Sequence, residues 1–315
     1  MVRSLSFHRR YQCAHSGACC TAGWPIAIER DRLVRVQGAI TSRALTARTI
    51  PCVADDAAGV AVLAMDADGC AFYAPAGRRC TIHGALGHDA LPLACRQFPR
   101  VTLRDPRGTA VTLSHFCPTA ARLLDADAPV SIVVDPPAFP AAGEYVGLDA
   151  TGVMPPLLRP GLLMDWDAWW ECERLAVELV GNFRGSSRDA LAHAAGAVHA
   201  IRSWRPGGTA LVDVVRSVFR DARPVPSRLT DPSVLVERAR EAIPSALRPA
   251  ALPCSPRPRD AVINRFLAAH AFANWTAYGP AGLDGWMRSI ETALALIDSG
   301  AGIREADLWL RHLAG

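Results

Sequence analysis

Eight of the ten cysteines in this chain lie within its first 117 residues, where an even scatter over 315 residues would place about four. Any fold for the chain must bury or bind these thiols. Seven sit in distinctive settings: Cys13, Cys19 and Cys20 in YQCAHSGACCTAGW, Cys70 and Cys80 in DGCAFYAPAGRRCTIH, Cys95 in ACRQFPR and Cys117 in SHFCPTAARLL. Cys52 is the eighth. It stands alone, as do Cys172 and Cys254 further on.

Three uses for such thiols compete. Disulfides need an oxidising compartment. The opening MVRSLSFHRR has no apolar run of signal-peptide length, and no stretch approaches a membrane span. The expectation is therefore a cytoplasmic chain with reduced thiols and no membrane partner. Cysteines also serve as small buried hydrophobes. That use suits Cys52, Cys172 and Cys254 and suits the Cys19-Cys20 pair poorly, because the pair lies in a Gly- and Ala-containing loop. Metal ligation is the third use, since soft thiolates select zinc, copper(I) or iron–sulfur clusters.

The spacing is C-x(5)-C-C, a gap, then C-x(9)-C, C-x(14)-C and C-x(21)-C. It matches neither a paired CxxC zinc site nor the compact ferredoxin run. Ligands so far apart must be gathered by a folded structure. Seven thiols also exceed the four that one tetrahedral zinc or one four-iron cluster takes. Some would then lie outside the coordination shell, or more than one metal would bind. His15, His83, His88 and His115 lie near the same segments and are each a ligand, a supporting donor or an ordinary half-buried histidine.

Quoted in order, CCTAGWPIAIERD, GCAFYAPAGRRCTIHGALGHDALPLACRQFPR and LSHFCPTAARLL resemble the flagellin lysine N-methylase family. They also resemble a broader cysteine-cluster family described as zinc- or iron-chelating. The resemblance covers residues 7–125, with a weaker echo in INRFLAAHAFANW; residues 125–255 carry no matching motif. It implies an iron–sulfur (4Fe-4S) cluster, with zinc as the alternative, held by ligands drawn from Cys13, Cys19, Cys20, Cys70, Cys80, Cys95 and Cys117. It further implies methyl transfer from S-adenosylmethionine to a lysine of a flagellin-like protein partner. The other class of function is a non-catalytic metal module for structure, metal handling or partner binding. A third is a redox protein using spare thiols.

All 34 basic residues are arginine, and the net charge is only +4. The arginines are dispersed, without a basic block interleaved with aromatics, which argues against a nucleic-acid partner. No glycine-rich strand–turn–helix loop of the usual nucleotide-binding kind appears. Trp166, Trp169, Trp170, Phe266, Phe272 and Trp275 are residue types that can cage a methylated ammonium, or simply fill a core. Glu171 and Asn274 beside them are residues that can orient an amine or cap helices. Arg96 and Arg100 flank Phe98-Pro99, either as counter-charges to thiolates or as an exposed pair.

The fold class expected is α+β, mostly α: a small cysteine-rich metal-binding domain with a hairpin at 1–150, then a helical domain at 151–315. Proline-rich punctuation at 135–145 and 153–161 reads as the connector. VTLRDPRGTAVTLS reads as a hairpin and VSIVV at 130–134 as a strand. Residues 30–48 read as a helix capped by Asp31. Beyond 160 apolar residues recur at helical spacing in seven segments, from MDWDAWWECERLAVELVGNF to READLWLRHLA.

Overall fold

A computed structural model describes residues 1–49, 52–55, 60–226, 233–242 and 259–313; Cys254 and most of the proline segment around it lie outside these. The chain mixes helix and strand, about 48% and 15%.

It opens with β1 (Val2–Leu5), followed by the thiol segment and β2 (Ile26–Ile28), α1 (Arg30–Thr41), β3 (Cys52–Asp55) and β4 (Val60–Leu63). β2, β4 and β3 form a small antiparallel sheet in that order. The helix is shorter than 30–48 and begins one residue after Glu29, with no side-chain cap. Glu29 is used elsewhere: its carboxylate accepts the backbone N–H of Leu93 at 3.0 Å. Two-residue ladders follow, β5 (Met65–Asp66) with β6 (Gly69–Cys70) and β7 (Tyr73–Ala74) with β8 (Arg79–Cys80). Short helices α2 (Thr81–Leu86) and α3 (Leu93–Gln97) come next. Ile26, Ile28, Val36, Leu63, Phe72 and Ile82 pack together as the apolar floor under these elements.

The hairpin is β9 (Arg100–Asp105) with β10 (Gly108–Leu113). Its turn closes because the Asp105 carboxylate accepts the Arg107 backbone N–H at 2.8 Å, an Asx-type bond, while Gly108 takes φ 113°. After α4 (Pro118–Arg122), β11 (Ile132–Val134) confirms the strand read from VSIVV. The proline-rich stretch is more than a connector. It contributes β12 (Leu148–Asp149) to the sheet and an antiparallel pair, β13 (Leu157–Arg159) with β14 (Leu162–Leu163). It also buries Phe139 and Leu158 completely. The resulting five-stranded sheet runs β11–β1–β10–β9–β12, with β1 parallel to β10 and antiparallel to β11.

The helices are α5 (Trp166–Gly181), α6 (Ser187–Ile201), α7 (Leu211–Arg220), α8 (Ser233–Ala242), α9 (Arg259–Ala271), α10 (Gly282–Asp298) and α11 (Ile303–Leu308). Asp165 and Ser186 cap α5 and α6, accepting from Ala168 N and Asp189 N. The largest apolar core joins both ends of the chain, with Leu5, Phe7, Leu103 and Ala110 of the sheet side against Trp169, Val177, Phe266, Phe272 and Trp286 of the helices.

A buried ion network fastens the same junction. Arg3, fully buried, reaches Asp105 at 3.2 Å and Glu173 of α5 at 3.1 Å. Arg107 reaches the same two carboxylates at 2.6 and 2.9 Å. The second oxygen of Glu173 accepts the Ala273 backbone N–H at 3.0 Å, and Tyr278 donates its hydroxyl to Asp105 at 2.8 Å. These cations answer the question of an aromatic cage. The guanidinium of Arg3 lies 4.9 Å from the Trp170 ring centre, and that of Arg107 lies 5.3 Å from Trp169. These indoles thus engage the protein's own charges. Phe266 and Phe272 are core, and Trp275 is exposed. Glu171 pairs with Arg174 and Arg216, and Asn274 caps the turn at Thr276.

Candidate metal centre

Loop geometry brings the thiols together from four separate stretches of chain. Residues 17–21 form a tight turn in which the Gly17 carbonyl accepts from Cys20 N and Thr21 N, so that Cys19 and Cys20 are presented side by side. Their Sγ atoms are 3.9 Å apart. Cys70 is drawn alongside by a 2.8 Å bond from its N–H to the Cys20 carbonyl. Gly69 makes that approach feasible: its φ is 114°, and a Cβ there would fall 2.5 Å from the Cys20 carbonyl oxygen. Arg48 braces the turn from behind, bonding the Gly69 and Cys70 carbonyls and pairing with Asp66 at 2.8 Å. Gly69→Ala is accordingly expected to push Cys70 away from Cys20 and lower the melting temperature by several degrees. A thermal melt checks this; an unchanged melt would show that the turn relaxes freely.

Cys80 ends β8 and starts α2, and its thiol meets that of Cys20. Cys20 hydrogen-bonds to both Cys19 and Cys80. Hydrogen bonding from Cys20 lowers Cys19 and brings Cys80 down to about 7, while Cys20, placed between two sulfur acceptors, is raised. Cys95, in α3, is pushed up by burial and then by the field of Cys19, Cys80 and Cys70. Burial likewise pushes Cys70 up to about 11.

The remaining two candidates stand on another wall of the same cavity. Tyr11 bonds to both Cys117 and Cys13 through its hydroxyl, and its own ionisation is strongly raised, first by burial and then by these two thiols. Cys13 is exposed and Cys117 buried. The cavity has a volume of about 210 Å³, and six of the seven cysteines line it; Cys70 supports it from behind. Cys52 lies apart on β3, and Cys172 is completely buried in α5 as a core residue.

His15, His83 and His88 form a row at the rim, with ring centres 5.4 and 6.0 Å apart. His115 does not join them. It belongs to a buried polar cluster that the sequence pattern did not reveal. There Asp307 of α11 accepts the Ser114 hydroxyl at 2.6 Å and the Phe116 N–H at 3.2 Å, and pairs with Arg311 at 3.1 Å. His115 and His270 approach the same carboxylate at 3.5 Å, at the outer edge of hydrogen bonding. His8 Nε2 lies 3.2 Å from His115 Nε2, and His312 meets Ser114 at 2.9 Å while stacking on Trp24 at 5.0 Å. Trp24 in turn leans on Phe98 and Phe116, beside the thiol cavity.

The donor set suits a thiophilic metal in kind: Cys19, Cys20, Cys80 and Cys95 line one cavity, and among the described residues no carboxylate lines it. As the side chains stand, however, no group of three or more His, Cys, Asp or Glu among the described residues is arranged to hold a metal ion. Loading would require the thiols to lose their protons and turn inward, as metal binding generally does. No helix among the described residues is long and apolar enough to cross a membrane. No protein-family model, no curated protein and no solved structure matches this chain.

Proposed function

We propose that the chain is a metal-holding protein whose centre is built by the thiolates of Cys19, Cys20, Cys80 and Cys95. In this reading residues 1–150 carry the centre and residues 151–315 form the helical body against which it is set. The observation that carries the reading is the meeting of Cys19, Cys20 and Cys80 at one cavity wall, with Cys95 close enough to feel their charge. Buried free thiols in ordinary cores are scattered, and these are not.

Both zinc and a four-iron cluster take four thiolates. Sulfurs bound to one zinc at 2.3 Å lie about 3.8 Å apart along a tetrahedron's edge, close to the 3.9 Å between Cys19 and Cys20. A cluster instead gives each thiolate its own iron and spreads them further. The spacing therefore favours a single tetrahedral ion, while the sequence resemblance favours the cluster.

Metal analysis and an absorption spectrum after anaerobic purification separate the two: zinc and no colour, or iron, sulfide and broad visible absorbance. Replacing Cys19, Cys20, Cys80 or Cys95 by Ser is expected to remove most of the metal and to destabilise the protein by several kcal/mol through coupled folding. Cys13→Ser and Cys117→Ser should retain it, and Cys172→Ala should leave the metal content unchanged. Equal loss in Cys80→Ser and Cys172→Ala would place the metal elsewhere or nowhere.

A second reading, methyl transfer from S-adenosylmethionine to a protein lysine, is supported by the cavity that opens beside these thiols. Its volume falls short of the roughly 300–1,000 Å³ of sites for drug-sized ligands, so it would enclose only one end of the cofactor. Equilibrium dialysis of the metal-loaded protein against S-adenosylmethionine decides between an enzyme and a non-catalytic module.

A further inference from the structure

The same cavity also has a lining of different chemistry. Arg78 and Arg100 line it together with the row of His15, His83 and His88, and among the described residues no aspartate or glutamate lines it. Arg96, the third guanidinium there, is tied to Glu144 at 2.7 Å. Arg78 and Arg100 differ: among the described residues neither side chain takes part in a hydrogen bond or an ion pair, and Arg100 acts on Tyr145 only through its field. Arg78 is exposed and Arg100 half-buried, so two unengaged guanidiniums stand at the edge of a small cavity. Their planar N–H forks match the paired oxygens of a carboxylate or a phosphate. The imidazoles at the rim add N–H donors, while Leu91, Phe98 and Ala138 give the lining an apolar side.

We propose that this cavity binds a small anionic molecule, one bearing a carboxylate or a phosphate group, gripped by Arg78 and Arg100 beside the thiol wall. The site shares its cavity with the metal centre proposed above, but its recognition rests on the two arginines and not on a bound metal. A volume of about 210 Å³ limits the ligand to a compact metabolite-sized anion. Carboxylate and phosphate present the same oxygen geometry to a guanidinium, so the experiment must tell them apart.

Isothermal titration of the full-length protein in low-chloride buffer uses succinate in one series and inorganic phosphate in the other. Wild type is compared with Arg78→Gln, Arg100→Gln and, as a remote control on α7, Arg216→Gln. Saturable one-to-one binding of one anion is expected. It should be weakened at least about tenfold in each cavity variant, the loss of a charge-assisted hydrogen bond, and unchanged in the control. Melting curves establish that the variants fold, and metal content is measured in the same samples. Anion binding by a protein that holds no metal would sustain this proposal while removing the metal centre. Absence of saturable binding to either anion overturns it, as does binding that Arg78→Gln and Arg100→Gln leave unchanged. Loss of metal in Arg100→Gln without any anion binding also overturns it, because the arginines would then be counter-charges of the thiolates.

Discussion

Replacing Asp307 by alanine is expected to destabilise the protein by about 3–5 kcal/mol, the usual cost of removing one partner from a buried charged cluster. The carboxylate is completely buried and accepts from Ser114 and the Phe116 backbone while pairing with Arg311. Burial alone would raise its ionisation, but His115, His270 and Arg311 outweigh that and hold it well below the ordinary carboxylate range. Without it, Arg311 and the Phe116 N–H lose a partner, and α11 loses its bonds to Ser114 and the Phe116 N–H just after the hairpin. Chemical denaturation measures the effect, and a change below about 1 kcal/mol would mean that α11 is not anchored here.

The same cluster predicts how stability follows pH. His8, His115, His270 and His312 are all lowered, first by burial, with His270 brought to about 4. Each therefore binds a proton more readily in the unfolded chain, where the ordinary value is 6.5. Their contribution is complete above pH 6.5 and is lost as pH falls toward 4, so stability must rise with pH across that window. His270 alone accounts for about 3 kcal/mol of the change. Denaturation at a series of pH values should show the slope, and His270→Gln should flatten it.

Glu173→Ala is expected to have an effect of the same size, about 3–5 kcal/mol, for a related reason. It removes a carboxylate shared by Arg3 and Arg107, leaving Arg3, which is fully buried, to rely on Asp105 alone. The Ala273 N–H also loses its acceptor. A paired exchange of Arg3 and Glu173 for methionine should be much milder than the single change, because no orphaned charge remains. If the double variant were as unstable as the sum of its singles, the network would owe nothing to charge pairing.

What could be read from the residues in order was local. The Asp-Pro-Arg-Gly turn announced the hairpin because its own atoms close it, and the Asp165 and Ser186 caps lie next to the periodic segments they start. Apolar residues at three-to-four spacing likewise marked α5, α6 and α10. Long-range partnerships left no such trace. Arg3 gives no sign that it will be buried against Glu173, 170 positions away. His8, His115, His270 and Asp307 are single polar residues in unrelated segments, and only the fold makes them neighbours. Six of the seven motif cysteines line one cavity, but order along the chain could not separate the contacting thiols Cys19, Cys20 and Cys80 from Cys13 and Cys117 around Tyr11. Tyr11 itself, two residues before Cys13, was the available signal. The proline segment was misleading for a physical reason: prolines stop helices but are compatible with the extended backbone that β12 and β13 use.

Strand order has a consequence for how the chain comes together during synthesis. β1 sits between β10 and β11, so it has no partner in this sheet until residues beyond 108 have been added. At about 5–20 residues per second, that interval is roughly 5–20 s. Throughout it, the thiol-bearing segment already exists as an unclosed loop, and β1 is an unpaired edge open to wrong partners. Its brevity, four residues, limits what such an edge can capture. The thiols are therefore first present on a nascent loop, before the sheet locks its two ends.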